Sequence, residues 1–181
     1  MITVLSFGHS NIGWDEFSYA LEQFDIGCVI DVRSSPRSRW QHFNKPQLRV
    51  RLNQMGVSYI HLGDALGGMP VNGPTDYTTR RSTAAFTTAI ETVLGIAARC
   101  TPALLCAERD PLHCHRFSLI ARHLHGLPDV RVEHIRHDGT LESHEEAEAR
   151  LMAQHRLTAD LLTDHSERLA EAYARQERKL G

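Results

Sequence analysis

Five short, β-rich apolar runs alternate with segments whose apolar residues recur at helical spacing, and that alternation leaves few architectures open. The runs are "ITVLSFG" from Ile2, "IGCVIDV" from Ile26, "VSYIHL" from Val57, "ALLCA" from Ala103 and "VRVEHI" from Val130. Apolar residues stand next to each other in these runs, as in strands buried on both faces of a parallel sheet. Between the first two runs, Phe17, Ala20, Leu21 and Phe24 predict a helix, with Ser10 or Asn11 beginning the turn or cap before it. Pro46 opens a second helix through Leu48 and Leu52 to Met55. A third runs from about Arg80 to Ala98 on Phe86, Ile90, Val93 and Leu94. Asp110-Pro111 reads as N-cap and first residue of a fourth, reaching His125 before a Gly-Leu-Pro stop. Asp138-Gly139 favours a tight turn, and Ser143 with Glu146 makes a capping box for a further helix. The segment from Gly63 to Tyr77, "GDALGGMPVNGPTDY", reads as a long loop.

The expected fold is a single α/β domain of three layers. A mainly parallel sheet of about five strands carries helices on both faces across residues 1–152, and residues 153–181 form a helical C-terminal extension. In that extension Leu161, Leu162, Leu169, Ala172 and Tyr173 recur at roughly helical spacing and are read as covering an apolar stripe of the domain. The 41% hydrophobic and 23% charged residues suit a folded globular chain. No apolar run approaches the length of a membrane span. The start, "MITVLSFGHSNIGW", lacks the basic and apolar regions of a signal peptide. Cys28, Cys100, Cys106 and Cys114 are therefore expected to be reduced thiols of a cytoplasmic protein with no membrane partner.

In parallel sheets ligands collect at the C-terminal ends of the strands. The unusual residues lie there: His9 and Ser10 after the first run, Asp31 and Arg33 closing the second, His61 the third, and Cys106 and Glu108 the fourth. The net charge of −2 conceals a basic stretch holding Arg33, Arg37, Arg39, Lys45, Arg49 and Arg51 with no acid among them. Trp40, His42 and Phe43 interleave with these cations, a pattern that grips phosphates and stacks on bases.

Three readings stay open. The first is an enzyme acting on a nucleotide, nucleic acid or other phosphate-bearing substrate by hydrolysis or group transfer. Glu108 is its acid–base or nucleophilic group, helped by His9 or His61, with Cys106 and Cys114 as further catalytic candidates. Arg33, Arg37, Arg39 and Trp40 hold its substrate, Asp31 orients a neighbour, and Ser10, Tyr59 and Arg116 complete the binding set. The second is a nucleic-acid-binding module that uses the same basic–aromatic loop and no Glu108. The third is a thiol redox or sulfur-transfer protein, which requires Cys106 and Cys114 to meet across a C-x7-C turn.

On a helix from Pro111, Cys114 edges the apolar stripe of Phe117, Ile120, Ala121 and Leu124. His115 then falls on the far side and Arg116 on a flank. A zinc site would draw on Cys106, His113, Cys114 and His115 with His9 or His61, but successive residues of "HCH" point to different faces of a helix and only one or two of them reach one metal, so neither a metal nor a cofactor is assigned. The oligomeric state stays open.

The motifs "FGHSN" (Phe7–Asn11), "DVRSSPRS" (Asp31–Ser38), "YIHLGDALGG" (Tyr59–Gly68) and "LLCAERDPLHCHR" (Leu104–Arg116), with "HIRHDGTLESHEEAEARL" further on, resemble the domain of unknown function family 488 over roughly residues 1–152. The resemblance implies a small α/β domain and no settled reaction. "VIDVRSSPRS" is also similar to a segment of rhodanese-like domains. "CAERDPLHCHR", however, has none of the glycine that the rhodanese active loop needs, and it lacks the C-x5-R spacing of cysteine phosphatases.

Overall fold

The computed structural model describes residues 1–69, 73–157 and 164–180. Six strands form one sheet: β1 (Ile2–Gly8), β2 (Ile26–Asp31), β3 (Ser58–His61), β4 (Thr101–Cys106), β5 (Val130–Ile135) and β6 (Leu141–Ser143), in the spatial order β3-β2-β4-β1-β5-β6. Every pairing is parallel except β5 with β6. The expected α/β class holds, with the three-residue β6 added at the edge by the turn at Gly139, whose φ is +80°.

Helices α1 (Trp14–Gln23) and α2 (Lys45–Gln54) cover one face. There Leu5, Phe7, Val29 and Leu105 pack with Phe17, Leu21, Phe43, Leu48 and Leu52. Helix α5 (Ala84–Ala97) and the helical stretch from Arg116 to His125 cover the other, where Val4, Ile30, Leu104 and Val132 meet Phe86, Ile90, Val93, Ile120 and Leu124. Each fully buried Leu, Ile or Phe contributes about 1.5–3 kcal/mol, so both faces of the sheet are strongly held. Strand periodicity explains the split: along β4, Ala103 and Leu105 serve one face while Leu104 and Cys106 serve the other.

Several local expectations change. Ser10 and Asn11 make the expected turn, in which the Ile12 N–H donates to the His9 carbonyl at 3.2 Å, but the cap of the first helix is Gly13, whose backbone N–H donates to Glu16. The segment taken as a loop from Gly63 contains a one-turn helix, α3 (Gly63–Leu66), and ends in α4 (Tyr77–Arg81). The long helix begins at Ala84, where Thr83 caps it, and not at Arg80. The fourth helix is broken: a 3-10 turn spans Pro111–His113, Cys114 is extended (φ −141°, ψ 143°), a π-helical stretch spans Arg116–Ala121, and α6 covers Arg122–His125. Asp110 does cap this region, its carboxylate accepting from the Leu112 N–H and from Arg150. The Ser143/Glu146 capping box opens α7 (His144–Gln154).

The last helix, α8 (His165–Leu180), places Ala172 and Tyr173 in a third core with Leu112, Phe117, Ala147 and Leu151. Leu161 and Leu162 lie outside the described residues. Among the described residues no helix is long and apolar enough to cross a membrane.

Strand β1 feeds α1 on one face, while the adjacent β4 feeds the Arg116–His125 stretch on the other. Chain paths diverge between these two strands, and it is at the C-terminal ends beside such a divergence that parallel sheets hold ligands. Gly8 and Cys106 are paired there in register.

Candidate functional site

Two polar groups stand at these strand ends, one on each face of the sheet. On the α1/α2 face, Asp31 is fully buried at the end of β2. Arg33 donates to it from Nε (2.8 Å), Nη2 (2.6 Å) and its backbone N–H (3.1 Å), and the Tyr59 hydroxyl donates to it at 2.8 Å. Arg33 also donates from Nη2 to the Phe43 carbonyl (2.9 Å) and from Nη1 to His9 Nε2 (3.2 Å). A guanidinium only donates, so His9 Nε2 accepts and its Nδ1–H donates to the Ser10 carbonyl at 2.9 Å. Burial, and then the charge of Arg33, lower the His9 pKa to about 4. The ring stacks on Phe43 with centroids 4.1 Å apart. His61 donates to the Arg33 carbonyl at 2.9 Å, which pins the turn after β2.

On the other face, Cys106, Cys114 and His115 are buried together, with the two sulfurs and one ring nitrogen all within 4.8 Å of one another. His115 Nδ1 lies 3.8 Å from Cys106 Sγ and 3.7 Å from Cys114 Sγ. Its Nε2–H donates to the Val32 carbonyl at 3.0 Å, so Nδ1 faces the sulfurs. The Arg116 N–H donates to Cys114 Sγ at 3.4 Å, and Cys106 Sγ donates to Glu108 Oε2 at 3.0 Å. Glu108 is exposed overall while its carboxyl leans in on the thiol.

Hydrogen bonding to Cys114 together with burial raises the Cys106 thiol. Burial would also raise Cys114, but the hydrogen bond with Cys106 and the charges of His115 and Arg116 outweigh it and hold Cys114 below the usual thiol range. Burial opposes the charge on His115, and the adjacent Cys114 more than restores it. Burial, then Cys114, raise Glu108.

The break at Cys114 builds this cluster. An extended Cys114 followed by helical residues turns both Cys114 and His115 inward, whereas a continuous helix would have set them on different faces. Two residues of "HCH", Cys114 and His115, thus reach one point, within the one or two expected but through the break and not through helical phase, while His113 is exposed. Arg116, read as a flank residue, is 1% exposed. Its Nη1 donates to the Glu108 carbonyl at 2.6 Å and its Nη2 to the Arg109 carbonyl at 3.0 Å, which locks the turn that carries Glu108. Gly8 is required beside it, because a Cβ there would collide with the Glu108 carbonyl.

A strap from Gly67 to Met69 lies over the cluster. A Cβ on Gly68 would come within 2.8 Å of His115 Nδ1, so the backbone must approach bare. The Met69 N–H donates to Ser34 Oγ at 2.9 Å, and buried Arg80 donates to the carbonyls of Ala65 and Gly67. Tyr77 is buried close enough to Cys114 for that charge, after burial, to help raise its pKa to about 12. Tyr77 and Arg80 are not site candidates in the sequence, and His115 is one only as a zinc ligand. His115 depends on the helix break, and Arg80 and Tyr77 stand in a stretch without periodic signal.

The basic–aromatic loop divides. Arg33 is engaged by Asp31 and Phe43 is fully buried, so neither presents itself to a ligand as expected. Arg37, Arg39 and Trp40 are exposed, and Arg39 lies 5.3 Å from the centre of the Trp40 ring. Arg37 and Lys45 line an open cleft of about 580 Å³ with Ser34, Ser35 and Asn44. Ser10 is partly buried with φ +47°.

Residues 13–123 match the family model described as Domain of unknown function DUF488. The chain belongs to this family. The DUF488 match takes in the second, third and fourth strands and the whole Cys106–Arg116 segment, and leaves "FGHSN" and the Ser143 region outside it. No curated protein and no solved structure matches the chain. The likeness to rhodanese-like domains gains no support.

Proposed function

We propose that this DUF488 chain is a thiol oxidoreductase whose reacting pair is Cys114 and Cys106. One observation carries the reading: a C-x7-C spacing too long for a helical redox motif is folded so that both sulfurs share His115 Nδ1 at 3.7 and 3.8 Å. Cys106 and Cys114 are only 3% and 2% exposed, so the substrate is a small disulfide and not a protein surface.

The Cys114 thiolate attacks one sulfur of the substrate disulfide. A bond forms between Cys114 and that sulfur, the substrate S–S bond breaks, and the departing thiolate takes a proton from His115. Cys106 gives its proton to Glu108 and attacks Cys114 Sγ. The Cys106–Cys114 disulfide forms as the bond between Cys114 and the substrate sulfur breaks, and the second substrate thiolate leaves with the Glu108 proton. Two electrons pass from the protein dithiol to the substrate, which departs as two thiols.

The test is oxidation of the reduced chain by a small disulfide, followed by tryptic mapping. Cleavage after Arg109 separates the two cysteines, so their disulfide joins the peptide ending at Arg109 to the one ending at Arg116. The joined peptide is expected in the wild type and in Cys28→Ser, and is absent in Cys106→Ser and Cys114→Ser. A wild-type chain that never yields it is not this oxidoreductase.

The exposed Arg39–Trp40 pair and the Arg37–Lys45 cleft favour a second reading as a phosphate-binding surface, in line with a nucleotide or nucleic-acid partner. Trp40→Phe with Arg37→Ala should then lower affinity for a single-stranded oligonucleotide, measured by anisotropy, with no change in the thiol map.

A further inference from the structure

We infer that Cys106, Cys114 and His115 form a binding site for one thiophilic divalent cation of the Zn²⁺ type, with the fourth position turned toward Glu108. In tetrahedral zinc sites, metal–sulfur bonds of about 2.3 Å and metal–nitrogen bonds of about 2.0 Å place sulfur and nitrogen roughly 3.6 Å apart. His115 Nδ1 stands 3.8 and 3.7 Å from the two sulfurs, and all three atoms lie within 4.8 Å of one another. One ion between them requires shifts of a few tenths of an ångström in the sulfur–nitrogen distances.

The surroundings are those a ligated ion needs. Histidine ligands are oriented by a partner on their other ring nitrogen, and here the Val32 carbonyl accepts from Nε2. The Arg116 N–H donates to Cys114 Sγ as outer-shell amides do to metal thiolates. Glu108 Oε2 lies 3.0 Å from Cys106 Sγ on the exposed side. Its carboxylate, or a water it holds, completes four-coordination. Two thiolates and an imidazole select zinc-like ions over Mg²⁺ or Ca²⁺, which require oxygen. Gly68 keeps the strap close to the imidazole without adding a side chain beside the ligand nitrogen.

The site goes beyond the redox reading and is independent of it. The same two sulfurs hold the ion when reduced, and a Cys106–Cys114 disulfide has no thiolate left to offer. The dithiol state binds the ion and the disulfide state does not, whatever reagent forms the disulfide.

The experiment titrates Co²⁺ into the tag-free, chelator-stripped, reduced chain and then displaces it with Zn²⁺. Expected are visible bands of tetrahedral Co²⁺ with sulfur-to-metal charge transfer, saturating at one ion per chain and erased by one equivalent of Zn²⁺. Cys114→Ser, Cys106→Ser and His115→Ala should lose the stoichiometric signal, while Cys28→Ser and Cys100→Ser keep it. Circular dichroism on each variant separates loss of ligand from loss of fold, and the wild-type titration is decisive without any variant. A folded, reduced wild type that gives no such spectrum overturns the site, as does an unchanged spectrum in both Cys114→Ser and His115→Ala. Metal binding without the joined peptide removes only the oxidoreductase, and the joined peptide without metal binding removes only the metal site.

Discussion

The two polar clusters at the mouth of the sheet sit a strand apart and use their groups in opposite ways. On the α1/α2 face, Asp31, Arg33, Tyr59 and His9 spend nearly every donor and acceptor on each other and on backbone carbonyls. On the opposite face, Cys106, Cys114 and His115 converge on a shared point with weak sulfur contacts longer than ordinary hydrogen bonds. A closed network fixes a shape, whereas convergent groups with unused bonding capacity mark where a ligand or reaction belongs. Arg33 and Glu108 are both charged rim residues in sequence; only their partners tell them apart.

The largest expected effect separates the two sides. Asp31→Asn leaves a buried guanidinium without its counter-charge, which costs about 3–5 kcal/mol and appears as a lower urea midpoint. The fraction still folded should form the Cys106–Cys114 peptide link as the wild type does. Equal loss of both readouts would show that the two clusters act as one unit.

A closed network of a different kind lies beneath α8. Ser6 Oγ meets His134 Nδ1 at 2.6 Å, His134 Nε2 meets His144 Nδ1 at 3.2 Å, and His144 Nε2 meets the Tyr173 hydroxyl at 2.9 Å, which donates to Glu148 at 2.8 Å. Burial first, then the charges of His125 and Arg122, lower His144 to about 3, and burial with His144 lowers His134. The unfolded chain takes up these protons near the ordinary value of 6.5 while the folded chain does not. Stability from this pair is therefore independent of pH above about 6.5 and falls as the pH drops from there toward 3. Urea unfolding across that range should show the decline, and His144→Gln should flatten it by about one proton. A wild-type midpoint constant down to pH 4 would contradict neutral buried histidines.

Much of the fold could be read because strands buried on both faces must be continuously apolar, and each of the five runs differs from its observed strand by two residues or fewer at either end. Strand β6 escaped because "LES" is too short and polar to show a period. The rim was legible as a place, since Asp31, His61 and Cys106 each close a strand. The cluster within it was not. Helical phase was counted from Pro111, and one extended residue at Cys114 followed by a π-helical stretch resets that count. His115 then moves from the outer face to the centre of the site. Asp31 also masked Arg33, because a sequence shows a cation but not the carboxylate two residues earlier folding back onto it.

The smallest effect tests how complete the closed cluster is. Tyr59→Phe removes the hydroxyl that donates to Asp31 Oδ2 at 2.8 Å. That oxygen retains Arg33 Nη2 at 2.6 Å, and the phenyl ring leaves no unpaired donor behind. The loss is thus one charge-assisted hydrogen bond, about 1.5 kcal/mol, well below the cost of Asp31→Asn. Urea midpoints of the two variants and their double mutant measure the coupling directly. If Tyr59→Phe equals Asp31→Asn, the carboxylate depends on the hydroxyl and the Arg33 pair alone does not hold it. If Tyr59→Phe is small and the Co²⁺ and peptide-link readouts are unchanged, the Asp31 side is scaffold and the chemistry belongs to the face that carries Cys114.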